Sequence, residues 1–366
     1  MNAFTKNIRE VTRLTRAGKL AEAMALLQGR AAAPTLDNPP STRSSPWPAP
    51  PDLERALRGL GARFSGLDAL RRGREKSPAK APAAPQGARF EARSFSNAAG
   101  SRGYKIYIPS AYVGQPLPLV VMLHGCTQDP DDFAAGTGMN ALAEEQNFLV
   151  AYPHQPASAN LKKCWNWFNA ADQRRGGGEP SLIAGIARQV IDDFSADPRR
   201  VYIAGLSAGG AAAAILAATY PDVFAAVGIH SGLACGAARD MASAFAAMGG
   251  KAPAPPPIEG PALPTIVFHG DADRTVNPVN AKQIIAQVSQ DATLTEVVTH
   301  GETAAGVGFT RTVLRQPAGV AVIEQWQVHG AGHAWSGGNP SGSFTDPRGP
   351  DASREMMRFF LAHAKA

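Results

Sequence analysis

The chain has 366 residues, 44% hydrophobic and 18% charged, enough apolar material for one large α/β domain and a small appendage. No run of eighteen apolar residues occurs, so the sequence indicates no membrane-spanning helix. The net charge of +6 is unevenly placed: residues 1–90 hold 16 Lys+Arg against 7 Asp+Glu, and the remainder holds 20 against 23. The basic excess therefore lies outside residues 91–366, the expected catalytic domain.

From the N-terminus, Met1 to Glu10 lacks the apolar core of a standard signal peptide, which leaves the compartment open. Ile8, Val11, Leu14, Leu20, Met24 and Leu27 recur near helical spacing with Arg and Lys between them. This spacing predicts an amphipathic helix, bent or interrupted near Gly18. A second short helix is expected within 52–70, with Pro/Ala/Ser-rich linkers at 34–50 and 77–85. Such an appendage suits packing on the catalytic domain or another protomer, or docking to a membrane or polymer granule. Nucleic acid is not an expected partner, because no recognised nucleic-acid module accompanies the charge.

Beyond residue 90 the pattern alternates. Strands are expected near 103–109, 118–124, 148–153, 200–206, 224–230, 264–269 and 320–329, and helices near 138–147, 181–194, 208–219, 277–290 and 352–364. Alternation of this kind implies a largely parallel sheet covered on both faces, with functional loops at its carboxyl edge. The segment 237–264, rich in Ala, Met and Pro, interrupts it and reads either as a partial cap or as a surface excursion.

Chemistry concentrates at the ends of four of these strands. Gly205-Leu-Ser-Ala-Gly209 follows the apolar run Val201–Ala204 and precedes an alanine-rich helix ending before Pro221. That strand–turn–helix setting marks a nucleophile elbow with Ser207 at its tip. In such folds the acid and base follow the serine in chain order. Asp273 lies at the apex of the loop after the strand 264–269 and is the expected acid, with Asp271 as its competitor. His333 lies between Gly332 and Ala334 after the strand 320–329 and is the expected base. Its competitor His329 still belongs to the strand. His124, His230 and His269 read first as structural. The backbone N–H of Ala208 supplies one oxyanion donor, and by analogy with His-Gly-Gly loops the N–H of Cys126, after Leu123-His-Gly125, supplies the second.

Together these motifs resemble the polyhydroxybutyrate depolymerase family of esterases, relatives of feruloyl and acetylxylan esterases. The resemblance rests on Leu123-His-Gly-Cys-Thr-Gln128, Cys164-Trp-Asn-Trp-Phe168, Arg175-Gly-Gly-Gly-Glu-Pro180, Gly205-Leu-Ser-Ala-Gly-Gly210, His230-Ser-Gly232 and Gly332-His-Ala-Trp-Ser-Gly-Gly338. It spans roughly residues 90 to 365. It implies an α/β-hydrolase fold, a Ser207–Asp273–His333 triad, Cys126 in the oxyanion hole, and substrate contacts from the Trp165–Trp167 region and Trp335. No metal or organic cofactor is implied; no Walker loop, dinucleotide fingerprint or His-Glu-Xaa-Xaa-His motif is present.

Three cysteines permit one disulfide. With Cys126 at the oxyanion hole, Cys164 and Cys235 are the expected pair, unless all three thiols are reduced. Secreted members of the family carry a signal segment and, in multidomain depolymerases, a trailing polymer-gripping domain. Neither is recognised in this sequence, so short hydroxyalkanoate oligomers or small esters are the expected substrates. Feruloyl or acetylated-xylan esters are the alternative. A non-catalytic role in binding a granule or membrane surface is the alternative from another class. The sequence does not fix the oligomeric state.

Overall fold

A ten-stranded sheet organises the chain, in the order β1-β2-β4-β3-β5-β6-β7-β10-β9-β8. Its strands are β1 (Arg89–Asn97), β2 (Gly100–Ile108), β3 (Leu119–Leu123), β4 (Leu149–Pro153), β5 (Val201–Leu206), β6 (Ala226–His230), β7 (Thr265–Gly270), β8 (Thr295–Glu302), β9 (Gly308–Arg315) and β10 (Ala321–Val328). The structure, a computed structural model, describes residues 85–289 and 293–365. The helices expected in 1–84, and the linkers apart from residue 85, lie outside the described residues.

The six strands from β4 through β10 in that order are mutually parallel, and antiparallel strands extend the sheet on both sides. Strands covered on both faces read as unbroken apolar runs, and every residue of β3, β4, β5 and β6 is buried. The period-2 alternation of β3 divides its side chains between two cores. Leu119, Val121 and Leu123 enter the core beneath α3 (Gly178–Phe194), α4 (Ala208–Thr219) and α6 (Val279–Val288). Val120 and Met122 enter the opposite core, which also contains residues of α1 (Pro130–Thr137), α2 (Met139–Gln146) and α7 (Ala352–Leu361). Helix α7 buries Met356, Met357, Phe359 and Phe360, each contributing about 1.5–3 kcal/mol of apolar transfer. The architecture is that of an α/β hydrolase.

Five of these elements, β1, β8, β9 and two helices, were not expected from sequence. Strand β1 pairs antiparallel with β2 over its whole length, and β8 and β9 extend the far edge. Helix α1 starts at an Asp129 cap, whose side chain accepts the Asp132 N–H, with Pro130 in the first turn. Within the excursion 237–264, α5 (Met241–Met248) forms behind an Asp240/Ser243 capping box. The C-terminal end of α5 is tied to the start of α6 and the segment before it: Asn277 N–H donates to Met248 O (2.8 Å), and Asn280 Nδ2 donates to Ala247 O (3.0 Å).

Candidate active site

Strand β5 ends in a turn that few side chains tolerate. Ser207 has φ 58° and ψ −119°, a sparsely populated conformation that costs on the order of 1–3 kcal/mol and must be held by its surroundings. The Ser207 N–H donates to the His230 carbonyl (2.9 Å), and the Ser207 carbonyl accepts the Ala211 N–H (2.9 Å). Two glycines permit the close approach. A Cβ on Gly205 would collide with the backbone of Gly209, and one on Gly209 would collide with the Leu123 carbonyl. The first turn of α4 therefore lies directly against the end of β3.

That contact brings the His124–Gln128 loop to the elbow. Around Cys126 the backbone donors are used: Gly125 N–H on Gln128 Oε1 (2.9 Å), Thr127 N–H on Lys162 O (2.6 Å) and Gln128 N–H on Gly125 O (3.3 Å). Among the described residues, the N–H groups of Cys126 and Ala208 have no protein acceptor. Thr127 adopts φ 68° and Lys163 φ 53°, unfavourable for any side chain and most so for a β-branched threonine.

Beside these turns Cys126 and Cys164 form a disulfide across a sequence separation of 38. This corrects the expected pairing of Cys164 with Cys235: Cys235 is free, and burial pushes its thiol up to about 11. Sequence position gave no sign that the excursion after β4 folds back onto the loop after β3.

The acid and base loops meet at the same edge. Asp273 is buried, its side chain fully so. Its Oδ1 accepts the N–H groups of Thr275 (2.8 Å) and Val276 (2.9 Å), and its Oδ2 accepts from His333 Nδ1 (2.7 Å). Burial pushes the Asp273 carboxyl up, but hydrogen bonds from His269 and His333 and the charge of His333 outweigh it, holding the group well below the usual carboxylate range. His269, expected to be structural, has its Nε2 3.5 Å from Asp273 Oδ2 and 2.9 Å from the Val276 carbonyl. Its i,i+4 spacing from Asp273 was the available signal. The competitors form a second pair, more exposed: His329 Nδ1 to Asp271 Oδ2 (2.9 Å), with Gly330 N–H donating to Asp271 Oδ1 (2.7 Å). It clasps the same two loops from outside.

Ser207 follows β5, Asp273 follows β7 and His333 follows β10, all at the carboxyl ends of parallel strands. The hydrogen bond that fixes His333 in this structure is to Asp273; hydroxyl-to-imidazole contacts commonly tighten only when substrate binds. Elbow, paired imidazole and two unused N–H donors are the parts from which acyl transfer is built.

Trp165 and Trp335 are only 0% and 1% exposed, which corrects their expected role as substrate contacts: neither ring offers a surface. Trp165 Nε1 donates to the His124 carbonyl (3.0 Å) and Trp335 Nε1 to Ser353 Oγ (3.0 Å). Trp167 is also buried. Sequence reasoning missed the polar group that holds the backbone next to Trp165. Buried Glu179, at the start of α3, accepts from the Asn166 N–H (2.7 Å) and from Gln155 Nε2. The Gln155 N–H in turn donates to His124 Nε2 (3.1 Å). Among the described residues, no group of three or more His, Cys, Asp or Glu is arranged to hold a metal ion. None of the described helices is long and apolar enough to cross a membrane.

The known proteins that this chain is similar to are esterases and a depolymerase. The family described as Esterase PHB depolymerase matches residues 102–311. Poly(3-hydroxyalkanoate) depolymerase C of Paucimonas lemoignei is 35% identical over 241 residues, covering 62% of this chain and 57% of that protein. Feruloyl esterase B of Neurospora crassa is 35% identical over 150 residues, covering 41% of this chain and 50% of that protein. The chain thus spans about half the length of these relatives. An acetyl xylan esterase from Aspergillus awamori shares the fold with a TM-score of 0.56 at 20% identity, covering 74% of this chain and 99% of that one.

Proposed function

The chain belongs to the Esterase PHB depolymerase family, and we propose that it hydrolyses carboxylic esters through an acyl-enzyme on Ser207. In this reading the His333 imidazole takes the Ser207 proton as Oγ attacks the ester carbonyl. Asp273 holds the Nδ1–H tautomer and stabilises the imidazolium that forms. The N–H groups of Ala208 and Cys126 receive the oxyanion. Collapse of the tetrahedral intermediate breaks the ester C–O bond, and the alcohol leaves with the proton from His333. Water, deprotonated by the same imidazole, then releases the acid and regenerates Ser207. The observation that carries the reading is the 2.7 Å His333–Asp273 pair at the sheet edge where the strained Ser207 turn also lies.

For substrate, similarity to a poly(3-hydroxyalkanoate) depolymerase supports hydroxyalkanoate esters, and short oligomers are the form proposed. Feruloyl or acetylated-xylan esters are the second reading, supported by the similarity in sequence to a feruloyl esterase and to acetylxylan esterases. Hydrolysis rates on hydroxybutyrate oligomers, methyl ferulate and acetylated xylan, each with wild type and Ser207→Ala, test both levels. Fastest turnover of the hydroxybutyrate oligomers, abolished in Ser207→Ala, is the expected result. Turnover that survives in Ser207→Ala overturns the chemistry, and preference for ferulate or xylan overturns the substrate class.

A further inference from the structure

His230 has no part in the chemistry above, yet it touches both halves of the site. Parallel register puts Trp326 of β10 opposite Phe268 of β7, and Phe268 opposite His230 of β6. In-register neighbours share one face of a sheet, and the three rings stack: Trp326 on Phe268 at 5.3 Å and 7°, and Phe268 on His230 at 5.8 Å and 14°. The pile continues off the sheet. Trp335, two residues beyond His333, also stacks on His230, at 5.0 Å and 24°.

Polar contacts follow the same path. His230 Nε2 accepts the Ser336 N–H (2.9 Å), three residues beyond His333. On the other side of the ring, Nδ1 lies 3.1 Å from Ser231 Oγ, which accepts its proton. The main-chain carbonyl of His230 accepts the Ser207 N–H (2.9 Å). One buried residue, 1% exposed, thus anchors the elbow through its backbone and the His333 loop through its ring.

We propose that His230 is a positioning residue that sets the His333 loop in register with the Ser207 elbow. It does so as a neutral Nδ1–H imidazole stacked with both Phe268 and Trp335. The assignment rests on the reading of His333 as the base. Burial first, and then the charges of His269 and His333, push the His230 imidazole down to about 3, consistent with a permanent acceptor at Nε2. A protonated ring, or the Nε2–H tautomer, would point a hydrogen at the Ser336 N–H and break that contact.

Two substitutions separate ring from acceptor. His230→Phe keeps the stack and removes the acceptor; His230→Gln loses the ring but places an amide oxygen near the Nε2 position. With a soluble p-nitrophenyl ester, His230→Phe is expected to lower kcat about 10- to 100-fold with KM little changed, as displacement of a catalytic group by an ångström does. The low-field proton resonance of the His333–Asp273 hydrogen bond should broaden or vanish. His230→Gln should recover part of kcat and keep that resonance. A folded His230→Phe protein with unchanged kcat and an intact low-field proton overturns the proposal.

A further measurement needs no variant. Nitrogen-15 shifts of the wild-type His230 ring should report the neutral Nδ1–H tautomer from pH 5 to 8, and the Nε2–H tautomer or an imidazolium would overturn the proposal. His333→Ala is the separate control: retained activity there defeats the base assignment, while leaving the ring shifts of His230 to be judged alone.

Discussion

Severing the Cys126–Cys164 disulfide should cost stability and catalysis together. The bond closes a loop with a sequence separation of 38, for which chain entropy in the unfolded state gives about 4 kcal/mol at 25 °C. For a domain of this size each kcal/mol moves the melting temperature by about 2–4 °C, so the Cys126→Ser/Cys164→Ser chain should melt roughly 8–15 °C below wild type. Catalysis suffers for a different reason. Thr127 and Lys163 hold left-handed conformations beside the two cysteines, each costing on the order of 1–3 kcal/mol that only the surrounding contacts sustain. Released, Thr127 is expected to relax and displace the adjoining Cys126 N–H, the proposed second oxyanion donor. Loss of one oxyanion donor lowers kcat by about 10²–10³-fold, and a loss of about 10²-fold is expected here, with KM changed far less. The assay pairs thermal melts with steady-state kinetics on a soluble ester, using Cys235→Ser as the thiol control. A double variant that melts within about 2 °C of wild type and keeps kcat within about twofold would refute both the entropic argument and the oxyanion placement.

Other consequences are more direct. Asp273→Asn should leave the fold intact and lower kcat by about 10⁴-fold, because the amide supports the wrong imidazole tautomer; kinetics on the purified variant decide it. Acid should destabilise the protein well above the carboxylate range. His230 is held down to about 3 and His124 to about 4, chiefly by burial. The unfolded chain therefore takes up protons at these sites once pH drops below about 6.5, where the native state does not. Their stabilising contribution is complete above that pH and is lost as pH falls toward 4 and then 3. Urea midpoints between pH 4 and 8 should slope accordingly, and less steeply in His230→Phe; a flat profile down to pH 5 contradicts the burial argument. Trp165→Ala should cost about 3–5 kcal/mol of stability as a buried aromatic truncation. Denaturant unfolding that shows almost no loss, with KM raised instead, would restore its role as a substrate contact.

The legible parts of this chain were those where several local signals agree. Strands β3 and β5 are short apolar runs, β5 ends in a glycine-rich turn, and the helix after Ser207 is rich in alanine, so the elbow and its helix could be read directly. Asp273 and His333 followed from chain order and loop position, and the structure joins them. Strand β8 is exposed at nearly every residue, and an edge strand without a buried face has no alternation to detect. Helices α1 and α5 are only eight residues long, too short for periodicity, although Asp129-Pro130 and the Asp240/Ser243 pair were readable caps. The cysteine pairing and the tryptophans failed for a common reason. Which cysteine meets Cys164, and whether Trp335 faces solvent or the His230 ring, depends on how the loops fold back over the sheet edge, and composition carries no such distances.

Identification of the residue that becomes acylated tests the central claim most directly. The purified chain would be reacted with a fluorophosphonate, or with p-nitrophenyl acetate followed by an acid quench, and the adduct located by peptide mass spectrometry. The account predicts one adduct per chain, on the peptide containing Ser207, absent from Ser207→Ala and greatly slowed in His333→Ala. A stoichiometric adduct on any other residue, or an adduct and turnover that persist in Ser207→Ala, would contradict it.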